Sequence, residues 1–386
     1  MVSRLLILAL LVLVASCLCE SDGHRELCYP KKFSYNFVVC VCNVTHCTDI
    51  GPTRPEEGHV VMYQSLLNRL RFHKSRIHFG GTGTADLTLQ LGEKTVQKII
   101  GFKGAFTDAA GVNWLNLPEG LRQRLLNSYY GPQGTGYSVG RIPMARCDFS
   151  TREYTYADKP DDVELGSFSL ADEDFHYKIP MIKEAPKIKG EPGGPYYKTW
   201  AKYFVKFYQS YKENGVDIWG FTTQNEPASS YCPYTSQTMG LTPDLERDFT
   251  NSDLGPALFN ITHGKIKLMA LDDNRYVLPW WANGLYRDPE AARYVAGLAV
   301  HWYYDKHTSS DWDHAESYAF NILDDLRHAV PGWVDWNLFL DLQGGPNWAE
   351  NFLDAPIIVY KENQAFHKQP MCYALAHFSK FLPLDQ

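Results

Sequence analysis

The sequence predicts an α/β fold of the (β/α)8 TIM-barrel type that lacks two strands and carries a partial β-sandwich at its N-terminus. Three observations predict it. From residue 96 onward, short apolar runs alternate with helical stretches, the pattern of parallel strands joined by crossover helices. Five of six strand-like runs end in polar or aromatic clusters, as the C-terminal mouth of a barrel does. Upstream, residues 20–95 alternate apolar runs with Gly, Pro and Asn turns around four clustered cysteines, the mark of a small β region. A chain of 386 residues suits one large α/β domain with an attachment.

Composition removes several classes. At 14% aromatic and 45% hydrophobic the chain is not disordered. A net charge of −7 supplies no basic field, so nucleic acid is excluded as a partner. The ten Trp, 24 Tyr and 20 Phe suit an aromatic-lined pocket for sugars or lipids. No repeat or low-complexity tract occurs.

The elements follow in order. Residues 1–19 place Arg4 before an apolar run, Leu5 to Val14, and small residues; this is a secretory signal peptide with cleavage near Cys19. A lipoprotein signal at Cys17 is the rival, disfavoured by the cysteine cluster and by two glycosylation sequons, Asn43-Val44-Thr45 and Asn260-Ile261-Thr262. Residues 20–95 form the β region, with strands at 38–44 and 86–92. Cys28, Cys40, Cys42 and Cys47 read as two disulfides with three possible connectivities; zinc is disfavoured by the single residue between Cys40 and Cys42. Cys147, Cys232 and Cys372 read as buried thiols. The GGTGT stretch at 80–84 is a hairpin turn, and RLRFHKSR (69–76) a solvated strand face. Residues 96–386 form the barrel, with strands within 96–108, 137–150, 216–227, 265–273, 295–305 and 332–341, and helices over roughly 196–214 and 312–330. No strand fits between Met144 and Val216, or between Tyr303 and Trp333. A closed eight-stranded barrel needs one in each place.

The chemistry-bearing signal is Asn225-Glu226-Pro227 at the end of the third strand. A carboxylic acid at a barrel mouth can protonate a glycosidic oxygen, and an adjacent Asn can hold a sugar hydroxyl. The bland alternative is a solvated loop glutamate. Arg141, Asp148, His301, Tyr303, Trp336 and Asn337 lie at other strand ends; singly each is more often structural, but jointly they would line a sugar-sized ring. His301 and His307 lack ligand spacing and Asp272-Asp273 lacks the rest of a calcium loop, so no metal site is predicted. No cofactor is predicted, and no serine nucleophile elbow occurs.

These motifs carry a resemblance. GFKGAFTDAA (101–110), RIPMARCDFSTREYTYAD (141–158), TTQNEP (222–227), LDDNR (271–275), LAVHWYYD (298–305), GGPNW (344–348) and QPMCYALAHFSKF (369–381) resemble the animal lysosomal glucosylceramidases, retaining glycosidases of family 30. The resemblance implies a (β/α)8 barrel with an attached β-sandwich, and hydrolysis of glucosylceramide or a related β-glucoside. It also implies a saposin-type activator, an anionic lipid surface and a lysosomal address. Residue by residue, it implies Glu226 as general acid/base, Asn225 on the 2-hydroxyl, Asp148 and Asn351 on the sugar, and Arg141, His301, Tyr303 and Trp336 around them. It further implies disulfides Cys28–Cys40 and Cys42–Cys47 and a free Cys147.

Three departures stand beside it. After Ser310 the family continues through a seventh strand that ends in the nucleophilic glutamate; here Asp311 follows directly. Near 185–190 the family's third strand, with a stacking Trp, is absent. Gln386 falls where the family enters most of its sandwich. A retaining glycosidase needs two carboxylates about 5–5.5 Å apart, and only Glu226 is found by motif. Glu316, the nearest acid to the gap, lies on a helix expected outside the barrel. Function therefore divides between a glucosylceramidase of little activity, a glycolipid- or activator-binding pseudoenzyme, and a glycosidase with an unorthodox nucleophile. Two lost strands also predict aggregation and retention in the endoplasmic reticulum.

Overall fold

The computed structural model describes residues 28–32, 38–48, 50–67, 70–80, 97–185, 197–228, 239–301 and 311–382. The expected leader, the strand at 86–92, Cys232, Tyr303, most of the 80–84 turn and most of the 185–190 break lie outside the described residues.

The N-terminal strands are β1 (Pro30–Lys32), β2 (Val38–Asn43), β3 (His59–Gln64) and β4 (His73–His78). β2 is rich in valine and almost wholly buried, as a strand paired on both sides should be. Disulfides join Cys28 to Cys40 and Cys42 to Cys47. β3 and β4 form an antiparallel hairpin that pairs with no other strand among the described residues. The basic stretch at 69–76 is not uniformly solvated. Arg71 is buried and donates to the carbonyls of Leu70 at 2.8 Å and Val38 at 2.6 Å. Five N–H donors on one planar head, of which those on Nη1 and Nη2 reach carbonyls here, make Arg suited to an inward position that a run of charges in sequence conceals.

Six barrel strands follow: β5 (Gly101–Ala105), β6 (Val139–Arg141), β7 (Gly220–Thr222), β8 (Lys267–Asn274), β9 (Val295–His301) and β10 (Gly332–Asn337). They form two parallel three-stranded sheets, ordered β10-β5-β6 and β7-β8-β9. Among the described residues no closed barrel forms. The sheet breaks between β6 and β7 and between β9 and β10, the two intervals in which the sequence offers no strand. β5 is buried throughout, whereas residues 297–300 of β9 stay half-exposed on the flank beside the second break.

The crossover helices carry the expected stripes. Helix Tyr197–Glu213 presents Trp200, Phe204, Phe207 and Tyr211 at helical spacing, and none of the four is exposed. Trp200 stacks on Phe249 with ring centroids 4.3 Å apart. Helix Asp311–Arg327 occupies the second crossover and packs on helix Pro370–Ser379.

After β10 come β11 (Phe339–Leu340), β12 (Ile357–Tyr360) and β13 (Ala365–Lys368). They join the N-terminal strands in a five-stranded sheet, β1-β2-β13-β12-β11, with Phe366 opposite Cys42 and Lys368 opposite Cys40. The second sheet of a sandwich is not formed by these strands.

Candidate active site

β7 ends at Thr222, and the chain turns through Asn225-Glu226-Pro227. Glu226 has φ of 48°, a left-handed value that a non-glycine residue holds only when its surroundings fix it. Here the Glu226 N–H donates to the carbonyl of Asp272 at 2.9 Å. Asp272 itself sits in an irregularity of β8, where the register to β9 slips between Leu271 and Asp273 and both Leu271 and Asp272 have positive φ. Such a bulge re-aims one side chain of a strand. It turns the Asp272 carboxylate inward, against Arg141 and His301.

His301, the last residue of β9, lies between two carboxylates: Nδ1 is 2.9 Å from Glu226 Oε1 and Nε2 is 3.0 Å from Asp272 Oδ1. Burial alone would lower the imidazole pKa, but these hydrogen bonds and the Asp272 charge raise it to about 9. Below that pH both ring nitrogens donate. Burial would likewise raise the Asp272 carboxyl, yet the Arg141 guanidinium and His301 hold it well below the usual carboxylate range. Arg141 Nη2 donates to Asp272 Oδ2 and to Asn225 Oδ1, both at 2.8 Å. Arg141 closes β6, whereas its acceptors lie beyond β7 and on β8. It therefore spans the first break in the barrel. Its guanidinium also lies 5.7 Å from the Trp336 ring centroid.

A second wall comes from the loop after β6 and the segment after β11. Asn351 Nδ2 donates to Asp148 Oδ2 at 3.1 Å, and Trp348 ties the same loop through Nε1 to the Cys147 carbonyl at 2.7 Å. Burial raises the Asp148 carboxyl, and the Glu226 charge raises it further. Trp336 meets Phe149 edge to face at 6.1 Å. Asn337 is buried instead and accepts from Thr107 Oγ1 at 2.7 Å, so it supports the helix Asp108–Leu115 that Thr107 caps. Cys147 is a free thiol pushed well up by burial.

Glu226 is the carboxylate of this cluster with room for a ligand. Its side chain keeps 20% of its exposure, against 2% for Asp272. Glu316 lies exposed on helix Asp311–Arg327 and accepts from Trp312 Nε1 at 2.6 Å, away from the mouth. Among the described residues no group of three or more His, Cys, Asp or Glu side chains is placed to hold a metal ion.

Sequence reasoning missed two residues here. Asp272 is visible in LDDNR at a strand end, the same signal that singles out Glu226, but the sequence assigns it no role at the mouth. Glu246 gave no signal. It is fully buried on helix Pro243–Phe249 and accepts from Thr223 Oγ1, Trp281 Nε1 and, at 3.2 Å, the Leu271 N–H. One carboxylate thus joins the end of β7 to the bulge of β8.

Known proteins show the same frame. The chain is 41% identical to the lysosomal acid glucosylceramidase of Mus musculus, over 92% of this chain and 82% of that protein. It is 39% identical to putative glucosylceramidase 3 of Caenorhabditis elegans, over 94% and 83%. The mouse alignment runs over 425 positions, of which this chain fills about 355 (92% of 386), so about 70 positions are filled by the mouse protein alone. Among solved structures, SrfJ from Salmonella typhimurium shares the fold with a TM-score of 0.75 at 22% identity, over 82% of this chain and 83% of SrfJ. The glycosyl hydrolase family 30 TIM-barrel domain matches in three blocks, residues 99–189, 187–311 and 307–382. The joins fall at the two breaks in the barrel. By this match and by the identity to its relatives, the chain belongs to glycosyl hydrolase family 30.

Proposed function

We propose that this chain is a glucosylceramidase-type β-glucosidase that holds glucosylceramide, or a related β-glucoside, and retains one half of the machinery that parts glucose from ceramide. The observation that carries the proposal is the Glu226–His301–Asp272–Arg141 chain of contacts at the strand ends of a family 30 domain. Glu226 is the acid/base: its carboxyl is reachable, and the His301 ring fixes its orientation. Asn225, Asp148, Asn351, Trp336, Arg141 and His301 hold the sugar or the groups that touch it, with Tyr303 in the same role. The relatives' names support the substrate, and the lysosomal name of the mouse protein supports passage through the secretory pathway to that compartment. A saposin-type activator, an anionic lipid surface and N-glycans on Asn43 and Asn260 belong to the same proposal. No cofactor is required.

The retaining reaction needs a second carboxylate to attack the anomeric carbon. Asp148 and Asp272 are engaged by Asn351 and by Arg141 with His301. The segment in which the family carries its nucleophile has no counterpart between Ser310 and Asp311, so acid assistance remains and displacement is lost, at a cost of several powers of ten in rate. The test uses glucosylceramide and an activated aryl β-glucoside, each with and without azide or formate. Glucosylceramide should stay intact. The aryl substrate should release its leaving group slowly and only with the anion, giving the α-glucosyl adduct of a single inverting displacement. Anion-independent turnover that Glu226→Gln abolishes would show that a second carboxylate operates. The breaks in the sheet favour one alternative, a glycolipid- or activator-binding pseudoenzyme; glycolipid binding with no turnover under any condition would select it.

A further inference from the structure

We propose that the β3–β4 hairpin carries a divalent transition-metal site made by His59 and His78, remote in function from the sugar-binding mouth. The two residues face each other directly across the antiparallel pair. Their Nε2 atoms are 3.1 Å apart, with ring centroids at 3.9 Å and planes tilted by 49°. Two imidazole nitrogens bound to one ion lie about 2.8 Å apart in a cis square-planar copper site and about 3.3 Å apart in tetrahedral zinc, from metal–nitrogen bonds of about 2.0 Å. The observed spacing falls between these limits.

The second observation concerns the tautomer. His59 Nδ1 lies 3.1 Å from the carbonyl of Glu57, which can only accept, so Nδ1 carries the proton and Nε2 presents a lone pair. Metal-bound histidines characteristically donate their other N–H in this way, to a backbone carbonyl or carboxylate. In the metal-free hairpin the ring centroids are only 0.8 Å farther apart than the Nε2 atoms (3.9 against 3.1 Å), so the rings lie partly face to face and the His78 Nε2 proton sits beside His59 Nε2, off its lone-pair axis. An entering ion takes the place of this proton, which moves to His78 Nδ1, and a turn of the exposed His78 ring aims its own Nε2 lone pair at the metal. Water completes the coordination. The nearest cation on the same face of β4, Arg76, is neutralised by Glu56 at 3.2 Å, so the ion meets no unpaired positive charge there. Imidazole donors select copper, zinc and nickel over magnesium or calcium. Because the ligands come from opposite strands, the ion staples a hairpin that among the described residues pairs with no other strand.

The test titrates the untagged full chain with ZnCl2 by calorimetry and with CuCl2 by electron paramagnetic resonance. One ion should bind per chain, and the copper spectrum should show two equivalent nitrogens. His59→Gln and His78→Gln should each weaken binding at least about tenfold, while His73→Gln, on the same strand with Gln64 opposite, should leave it unchanged. Zinc should raise the melting temperature of the parent and of His73→Gln but not of the other two. His73 and His78 are exposed and His59 is half-buried, and unchanged circular dichroism will report that the fold is kept. No binding, or binding that survives both His59→Gln and His78→Gln, would overturn the proposal.

Discussion

Replacing Asp335 with Asn should remove this group's share of the pH dependence of the protein's stability. Asp335 lies on β10, next to Trp336, and is 3% exposed. Burial raises its carboxyl to about 7, against the opposing hydrogen bonds from the Tyr318 hydroxyl and the Trp336 N–H, both at 2.9 Å. The folded state therefore holds this proton more tightly than the unfolded chain, whose carboxyl titrates near 3.8. The stability it confers is fully present below that value and is lost as pH rises through 7. At 1.36 kcal/mol per unit, a shift of about three units makes the parent about 3 kcal/mol less stable at pH 7.5 than at pH 4.5 through this group. Asparagine keeps an oxygen for Tyr318 and Trp336 and does not titrate. Urea denaturation at the two pH values should show the Asp335→Asn chain clearly more stable than the parent at pH 7.5 and close to it at pH 4.5. Equal pH slopes in the two chains would refute the argument.

Other outcomes follow from the same structure. Lys178 has no exposure and lies 3.1 Å from Asp174 and 3.6 Å from Asp108, so Lys178→Met should cost about 3–5 kcal/mol by stranding buried carboxylates; adding Asp174→Asn should recover part of it in the same melts. Loss of the Cys42–Cys47 bridge, a five-residue separation, should cost about 2 kcal/mol, and loss of Cys28–Cys40, separated by 12, about 3 kcal/mol; non-reducing peptide mapping should recover those two pairs. His301, raised to about 9, contributes stability that is complete below about pH 6.5 and disappears as pH passes 9. His301→Gln should therefore flatten the alkaline limb of a stability–pH curve, and an unchanged limb would exclude the double hydrogen bond.

Much of the barrel was legible because each of its strands is a local apolar run and five of the six end in polar or aromatic clusters. Helix Tyr197–Glu213 was legible for the same reason, its aromatic stripe repeating at helical spacing. The two breaks were legible as intervals where no such run exists. What escaped depends on contacts between distant segments. Nothing near Arg71 announces that its guanidinium will fill a pocket of carbonyls rather than face water, and nothing local pairs β2 with β13. Glu246 stands in a helix with ordinary spacing, and its burial against Thr223 and Trp281 becomes visible only once three segments meet. Asp272 is the intermediate case. Its position at a strand end was on view, but the bulge that turns it toward His301 is a property of register, which a single strand cannot display.

The pairing of β2 with β13 also sets an order of events during synthesis. Thr48 and Lys368 are in hydrogen-bond contact at 2.7 Å across a separation of 320 residues. At about 5–20 residues per second, translation delays the arrival of the partner strand by roughly 16 to 64 s. Through that interval the Val38–Asn43 segment can pair with β1, but the ladder groups on its β13 edge must wait, while the local five-residue Cys42–Cys47 loop is free to close. The nascent N-terminus is thus stapled early and sheeted late. A valine-rich strand edge therefore stays open for the whole of that wait.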